Sequence, residues 1–377
     1  MTTGLRLFYH RHPFNIAGTE TLFFRAMQKN VHHHITHCPE YAAILDRQGF
    51  SPDYLRRPED LCKIPPLPTL YFKQHPLYSA QESRLVLKST TSGTSGRVSI
   101  MGLDRTSVIR GLGMILTTVF THKLLSPRPT NYIVLGYQPA KRNKIGAVRT
   151  AYATTFTAPA LHRAYALRDT GDTYDLDLGN LVRTLQGYAK QRHPVRFIGF
   201  PAYYLFFLRE LQRNGIRLRL HPKSLVVLGG GWKQFFTERL EKTALYALSE
   251  EVLGLGEARV REFFGVVEHN IAYLDCPNHH FHMPIYSRVI IRDVNTLEPV
   301  GFGTPGLLNL LTPMITSMPF CSIMTDDLAT LYPGASCGCG IASPFFEIHG
   351  RVGLNDIKTC AAGAATLLAD IGARTDS

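Results

Sequence analysis

The chain lacks a long apolar run. Its longest stretches, such as Gly111 to Phe120 with its threonines, fall well short of the roughly 18 residues needed to cross a bilayer, so no membrane span is expected. The opening residues, Met1 to Ile16, lack the apolar stretch of a secretory leader, because Arg6, His10, Arg11 and His12 interrupt them. Secretion is therefore not implied. Cysteine is sparse: seven in 377 residues, an odd number, scattered except for Cys337 and Cys339. That pattern argues against a disulfide framework, favours reduced thiols or a metal, and predicts a cytoplasmic protein. Internal repeats, low-complexity tracts and a linker between independent domains are missing too.

Acidic residues are in deficit, 29 against 41 lysines and arginines, for a formal charge of +12. Such a charge suits an anionic partner, a nucleotide or an acidic carrier protein, because net charge steers association without specifying the partner. No concentrated basic block is interleaved with aromatics, so nucleic acid is not an expected partner.

What is present is a chain 45% hydrophobic, enough for a substantial core and two or three packed lobes. From Glu20 to Phe50, Leu22, Phe23, Met27, Val31, Ile35, Tyr41, Ile44 and Leu45 recur mostly at helical spacing, predicting one or two amphipathic helices in an N-terminal cap over 1–65. Ile64-Pro65-Pro66-Leu67-Pro68 then breaks the helix. Short β-like runs at Arg84 to Leu87, Tyr132 to Gly136, Val195 to Phe200 and Ser224 to Leu228 alternate with helical stretches at 105–123, 174–192, 202–214 and 233–253. This alternation predicts an α/β core with parallel strands. From Pro284 the pattern turns β-rich, predicting a small β-lobe over 284–355 and a short C-terminal tail over 356–377.

The densest chemistry lies in Lys88-Ser89-Thr90-Thr91-Ser92-Gly93-Thr94-Ser95-Gly96-Arg97, which follows an expected strand. Glycine lets backbone amides approach a polyphosphate, hydroxyls donate further hydrogen bonds, and Arg97 adds charge. The alternative is a Ser/Thr-rich surface turn. The spacing is not that of a Walker loop, and Gly229-Gly230-Gly231 does not have the spacing of a dinucleotide fingerprint.

Ser92-Gly93-Thr94-Ser95-Gly96 resembles the nucleotide-phosphate signature of the adenylate-forming superfamily. Further matches follow in the family's order. Gly229-Gly230-Gly231-Trp232 resembles the glycine-rich strand end set against adenine, and Phe263-Phe264-Gly265-Val266-Val267-Glu268 the segment whose glutamate helps hold magnesium. Thr325-Asp326-Asp327 resembles the segment whose last aspartate binds the ribose hydroxyls, and Gly350-Arg351 the arginine-bearing turn. Ile64-Pro65-Pro66-Leu67-Pro68 before Phe72-Lys73, Phe281-His282-Met283-Pro284 and Ile291-Arg292-Asp293 resemble LuxE-type acyl-protein synthetases, beside the phenylacetate-CoA ligases.

The resemblance implies an α/β fold over 1–355, the N-terminal domain of an adenylate-forming enzyme with its helical cap, α/β core and β-rich lobe, and without the mobile C-terminal domain. It implies ATP-dependent activation of a fatty or aromatic carboxylic acid as an acyl-adenylate. Ser92, Gly93, Thr94, Ser95, Gly96 and Arg97 would hold the phosphates, Gly230 and Gly231 the adenine, Asp327 the ribose, Arg351 the ribose or phosphate side, and Glu268 the Mg2+. Two departures stand beside it: the lysine usual after the phosphate loop is absent, with Arg97 nearby, and little chain follows Lys358.

Cys360 resembles the C-terminal cysteine that LuxE-type proteins acylate, the alternative being a tail thiol without a role. The other acceptors are coenzyme A and a carrier protein, and the best-known relatives associate with a partner reductase. A non-catalytic adenylate-binding subunit is the alternative from another class. Cys276, followed by His279, His280 and His282 and later by Cys337-Gly338-Cys339, offers sulfur and nitrogen ligands that tetrahedral zinc accepts. The set Cys276, His282, Cys337 and Cys339 is expected to hold a structural zinc, as a similar arrangement in phenylacetate-CoA ligases implies; buried structural cysteines are the alternative. His32-His33-His34 with His37 reads as a solvated helix surface.

Overall fold

A computed structural model describes residues 3–90, 100–140, 143, 146–231 and 240–351. These fall into two compact units, the first drawn from the described residues of Met1–Lys88, Ser99–Thr118 and Val266–Ser377, the second from those of Ser89–Val98 and Val119–Gly265.

The first unit opens with helices. Asn15 caps the long helix Ile16–His37 by accepting from the Gly18 amide at 3.1 Å, and Pro39 begins the next, Pro39–Arg47. Phe23, Met27, Val31 and His34 recur three or four residues apart, and all four are fully buried. His34 therefore sits on the core face of its helix and is not part of a solvated surface. Its Nδ1 lies 2.7 Å from Ser79 Oγ and its Nε2 3.1 Å from the Ile315 carbonyl. Burial lowers its pKa to about 3, so it stays neutral.

The body of this unit is a sheet in which Phe281–His282, Phe345–Arg351, Ser322–Tyr332, Pro305–Leu311 and Arg288–Arg292 neighbour one another in that order, all antiparallel. Leu67–Pro68, at the proline-rich connector, adds a parallel pairing to Ser322–Tyr332. The β-rich pattern read from residue 284 contributes most of this sheet, which also takes in Phe281–His282 and Leu67–Pro68.

The second unit is the expected α/β core. Strands Val260–Phe264, Leu225–Gly229, Val195–Gly199, Thr130–Tyr137 and Ala160–Asp169 lie side by side and parallel. Tyr174–Leu176 adds an antiparallel edge. Their burial on both faces explains the continuous apolar runs of Tyr132 to Leu135 and Val226 to Leu228. Helices Leu178–Ala189, Pro201–Arg213 and Lys242–Leu253 supply Leu185, Leu205, Leu208, Leu245 and Val252 to one core with Ile133, Phe197 and Leu228. The helix expected over 105–123 is Arg105–Thr121, which begins in the first unit; Asp104, just ahead of it, accepts through Oδ1 from the Ser107 amide at 2.8 Å.

Candidate active site

In the first unit, strands Ser322–Tyr332 and Phe345–Arg351 bring Asp327 opposite Arg351. Arg351 Nε donates to Asp327 Oδ1 at 3.0 Å and lies 3.8 Å from Asp326 Oδ2. Thr325 Oγ1 accepts from the Asp327 amide at 3.1 Å and donates to the Leu308 carbonyl at 3.3 Å, so the carboxylate stands on a fixed backbone. Asp327 is only 4% exposed, yet its Oδ2 has no hydrogen-bond partner among the described residues. Leaving such an acceptor unmatched costs about 1–3 kcal/mol, a cost a ligand hydroxyl would remove.

The charges follow from this packing. Burial pushes the Asp327 carboxyl above the usual aspartate range, and Asp326 adds to that, while Arg351 opposes it. Burial works against the Arg351 charge, but Asp327, Asp326 and Glu268 more than offset it, and its pKa is raised. Glu268 is itself 4% exposed and sits in a turn that the Asn270 amide closes by donating to the Val266 carbonyl at 2.8 Å. One buried carboxylate oxygen with further ligands from phosphates and water is how proteins commonly hold magnesium, so the donor suits that ion. Glu268, Asp327 and Arg351, widely separated in sequence, thus share one electrostatic neighbourhood. Sequence reasoning missed Asp326 as a second acid for Arg351; its adjacency to Asp327 was the available signal.

In the second unit, Gly229 and Gly230 end a parallel strand at its carboxyl edge, where open α/β sheets bind ligands. A Cβ on Gly229 would fall 2.2 Å from the Phe263 ring, and Gly230, at φ +83°, packs where a Cβ would meet the Phe200 ring at 2.6 Å. Glycine is required there by aromatic neighbours as well as by backbone conformation. Gly231 follows at φ +66°, and no described residue lies within 4 Å of where its Cβ would stand. Ser92, Gly93, Thr94, Ser95, Gly96, Arg97 and Cys360 lie outside the described residues.

The structure also gathers Cys276, His282, Cys337 and Cys339, whose ligand atoms all lie within 4.8 Å of one another. Cys276 and Cys337 sulfurs are 3.5 Å apart and Cys339 Sγ is 3.2 Å from His282 Nε2. A zinc tetrahedron with bonds of about 2.3 Å to sulfur has sulfur–sulfur edges of about 3.8 Å, so the set fits the ion. His282 Nδ1 lies 2.7 Å from the Ser343 carbonyl, which only accepts, so Nδ1 carries the proton and Nε2 offers its lone pair to the cluster. Burial pushes the Cys337 thiol up to about 12, so holding thiolates here calls for a cation. Among the sequence candidates, His279 instead faces Asp275 at 2.8 Å, and His280 bridges Cys337 Sγ at 3.1 Å and Glu347 at 3.0 Å.

The model of the acyl-protein synthetase, LuxE, family matches residues 6–368. The chain belongs to the LuxE family. This LuxE-family protein is 25% identical over 329 residues to the long-chain-fatty-acid–luciferin-component ligase of Aliivibrio fischeri, covering 81% of this chain and 79% of the relative. It is 27% identical over 321 residues to the ligase of the same name from Vibrio harveyi, covering 80% and 78%. Its fold is similar to that of 2-hydroxyisobutyryl-CoA ligase, solved in an open conformation with 2-HIB-AMP and CoA. The TM-score is 0.67 at 16% identity, over 91% of this chain and 77% of that one. The LuxE-family protein is accordingly an adenylate-forming ligase that activates an acyl group. None of its described helices is long and apolar enough to cross a membrane.

Proposed function

We propose that this protein uses ATP to convert a carboxylic acid, of the long-chain fatty class, to an acyl-adenylate and passes the acyl group to a cysteine thiol in the cytoplasm. The buried Asp327 Oδ2, an acceptor beside Arg351 without a partner among the described residues, carries the reading, because a ribose hydroxyl would complete it. The long-chain-fatty-acid ligases among the relatives support the substrate class.

In this reading the acid's carboxylate attacks the α-phosphorus of ATP, the new oxygen–phosphorus bond replaces the bond to pyrophosphate, and pyrophosphate leaves. Asp327 accepts from the ribose hydroxyls, Arg351 fixes that carboxylate and adds charge on the phosphate side, and Gly230 and Gly231 leave room for adenine. Ser92, Thr94 and Ser95 with the Gly93 and Gly96 amides and Arg97 cradle the phosphates. Glu268 holds magnesium, which neutralises phosphate charge when bound. The Cys360 thiol, giving up its proton, attacks the acyl carbon, the bond from that carbon to the phosphate oxygen breaks, AMP leaves, and the thioester is then passed to a thiol of a partner reductase or carrier protein. Cys276, His282, Cys337 and Cys339 hold a zinc that ties Phe281–His282 to the turn after Ser322–Tyr332.

Acid-dependent ATP/pyrophosphate exchange tests the reading. Exchange with long-chain acids supports it, and tight ATP binding without exchange for any acid would replace it with a non-catalytic adenylate-binding role.

A further inference from the structure

Directly after Glu268, the chain drives a histidine into the core. His269 is fully buried, and its ring lies parallel to that of Tyr273, 4° between planes and 5.9 Å between centroids. Ser287 Oγ donates to the Leu311 carbonyl at 3.1 Å. With its one proton spent, Ser287 accepts from the Tyr273 hydroxyl, which in turn accepts from His269 Nε2 at 2.8 Å. Nε2 is also 3.1 Å from Ser287 Oγ. With the Tyr273 proton given to Ser287, the hydrogen in the His269–Tyr273 contact comes from the ring, so Nε2 carries the imidazole proton.

The chain of donors ends on strand Pro305–Leu311, whose neighbour Ser322–Tyr332 carries Asp327. At its other end stands a tight turn. The His269 and Asn270 amides both donate to the Val266 carbonyl, at 3.2 and 2.8 Å, and Asn270 adopts φ +53°, a left-handed conformation that costs energy outside glycine. Neighbouring side chains of such a turn diverge. Sinking His269 into the core commits Glu268 to the other side, where its charge reaches Arg351.

We propose that His269, through Tyr273 and Ser287, is a positioning residue for the Glu268 carboxylate, locking the metal-holding turn to the sheet that carries Asp327 and Arg351. The inference rests on the reading of Glu268 as the magnesium ligand. Groups that orient a ligand by hydrogen bonding commonly change metal affinity about tenfold or more when removed. His269 follows Glu268 directly in sequence and touches neither nucleotide nor metal in this account.

The test is ATP binding by calorimetry at graded magnesium, with the melting temperature of each variant measured alongside. Tyr273→Phe removes one hydroxyl and should raise half-saturating magnesium about tenfold, as should His269→Phe. His269→Gln, whose amide can donate to Tyr273, should restore most of the loss. A lower melting temperature with unchanged magnesium dependence in both phenylalanine variants would mean that the network is only structural, overturning the inference. Glu268→Gln is the reference: if it shifts magnesium dependence and the others do not, only the role of His269 falls. If Glu268→Gln shifts nothing, the reading of Glu268 falls and the inference with it.

Discussion

Arg351 Nε donates to Asp327 Oδ1 across 3.0 Å between paired antiparallel strands, while the carboxylate's other oxygen is buried without a hydrogen-bond partner among the described residues. One contact fixes the carboxylate and the other oxygen awaits a donor. Asp327→Ala removes both and should lower kcat/KM for ATP roughly a hundredfold. Steady-state kinetics with ATP as the varied substrate checks this, and a near-normal value would dissociate Asp327 from nucleotide binding.

Burial raises the Asp327 pKa above the ordinary aspartate value of 3.8. Ribose binding needs the carboxylate, so ATP affinity should fall as pH drops through that raised value. The acid limb of a pKd-against-pH profile should therefore lie above 3.8. Asp327→Asn, which does not titrate, should flatten the limb.

The same shift has a consequence for stability. Folded Asp327 holds its proton more tightly than an unfolded aspartate does. Its charge therefore costs stability above the folded-state value, and that cost fades as pH falls through it. Asp327→Asn should raise Tm at neutral pH while weakening ATP binding, the trade expected where a site keeps an unfavourable group for function. Arg351 is not stranded by the change, since its side chain is 59% exposed and Asp326 remains nearby. A lower Tm would show that the Arg351 pair outweighs burial.

The cysteine and histidine cluster should carry about one zinc per chain. Chelation, or Cys337→Ser, should remove the metal and lower Tm, measured by elemental analysis and thermal melting. Less than about a tenth of an equivalent after purification without chelator would leave four packed side chains and no metal site.

Cys360→Ser should abolish hydroxylamine-labile acyl label on the protein after incubation with ATP and radiolabelled acid. Label persisting on the serine variant would move the acceptor elsewhere.

The sequence exposed elements whose patterns are continuous. Tyr132 to Leu135 and Val226 to Leu228 read as buried strands because both faces are covered. Ala160–Asp169 escaped notice because His162, Arg163 and Arg168 interrupt its apolar residues, its sheet neighbours being Thr130–Tyr137 and short Tyr174–Leu176. Val260–Phe264 was hidden by Arg261 and Glu262 in the same way. Site motifs were legible as short strings, but their meeting was not. Asp327 faces Arg351 only through a register that includes a shift between Leu328 and Ala329. His282 was named beside His279 and His280 through the resemblance, and the backbone supplies a physical reason, since His279 takes φ +58° and turns to Asp275.

ATP/pyrophosphate exchange across long-chain fatty and aromatic acids, with wild type beside Glu268→Ala, is the deciding measurement for adenylation. Exchange should depend on a long-chain acid and fall roughly a hundredfold in the variant. Exchange independent of acid, or undiminished in Glu268→Ala, would contradict it.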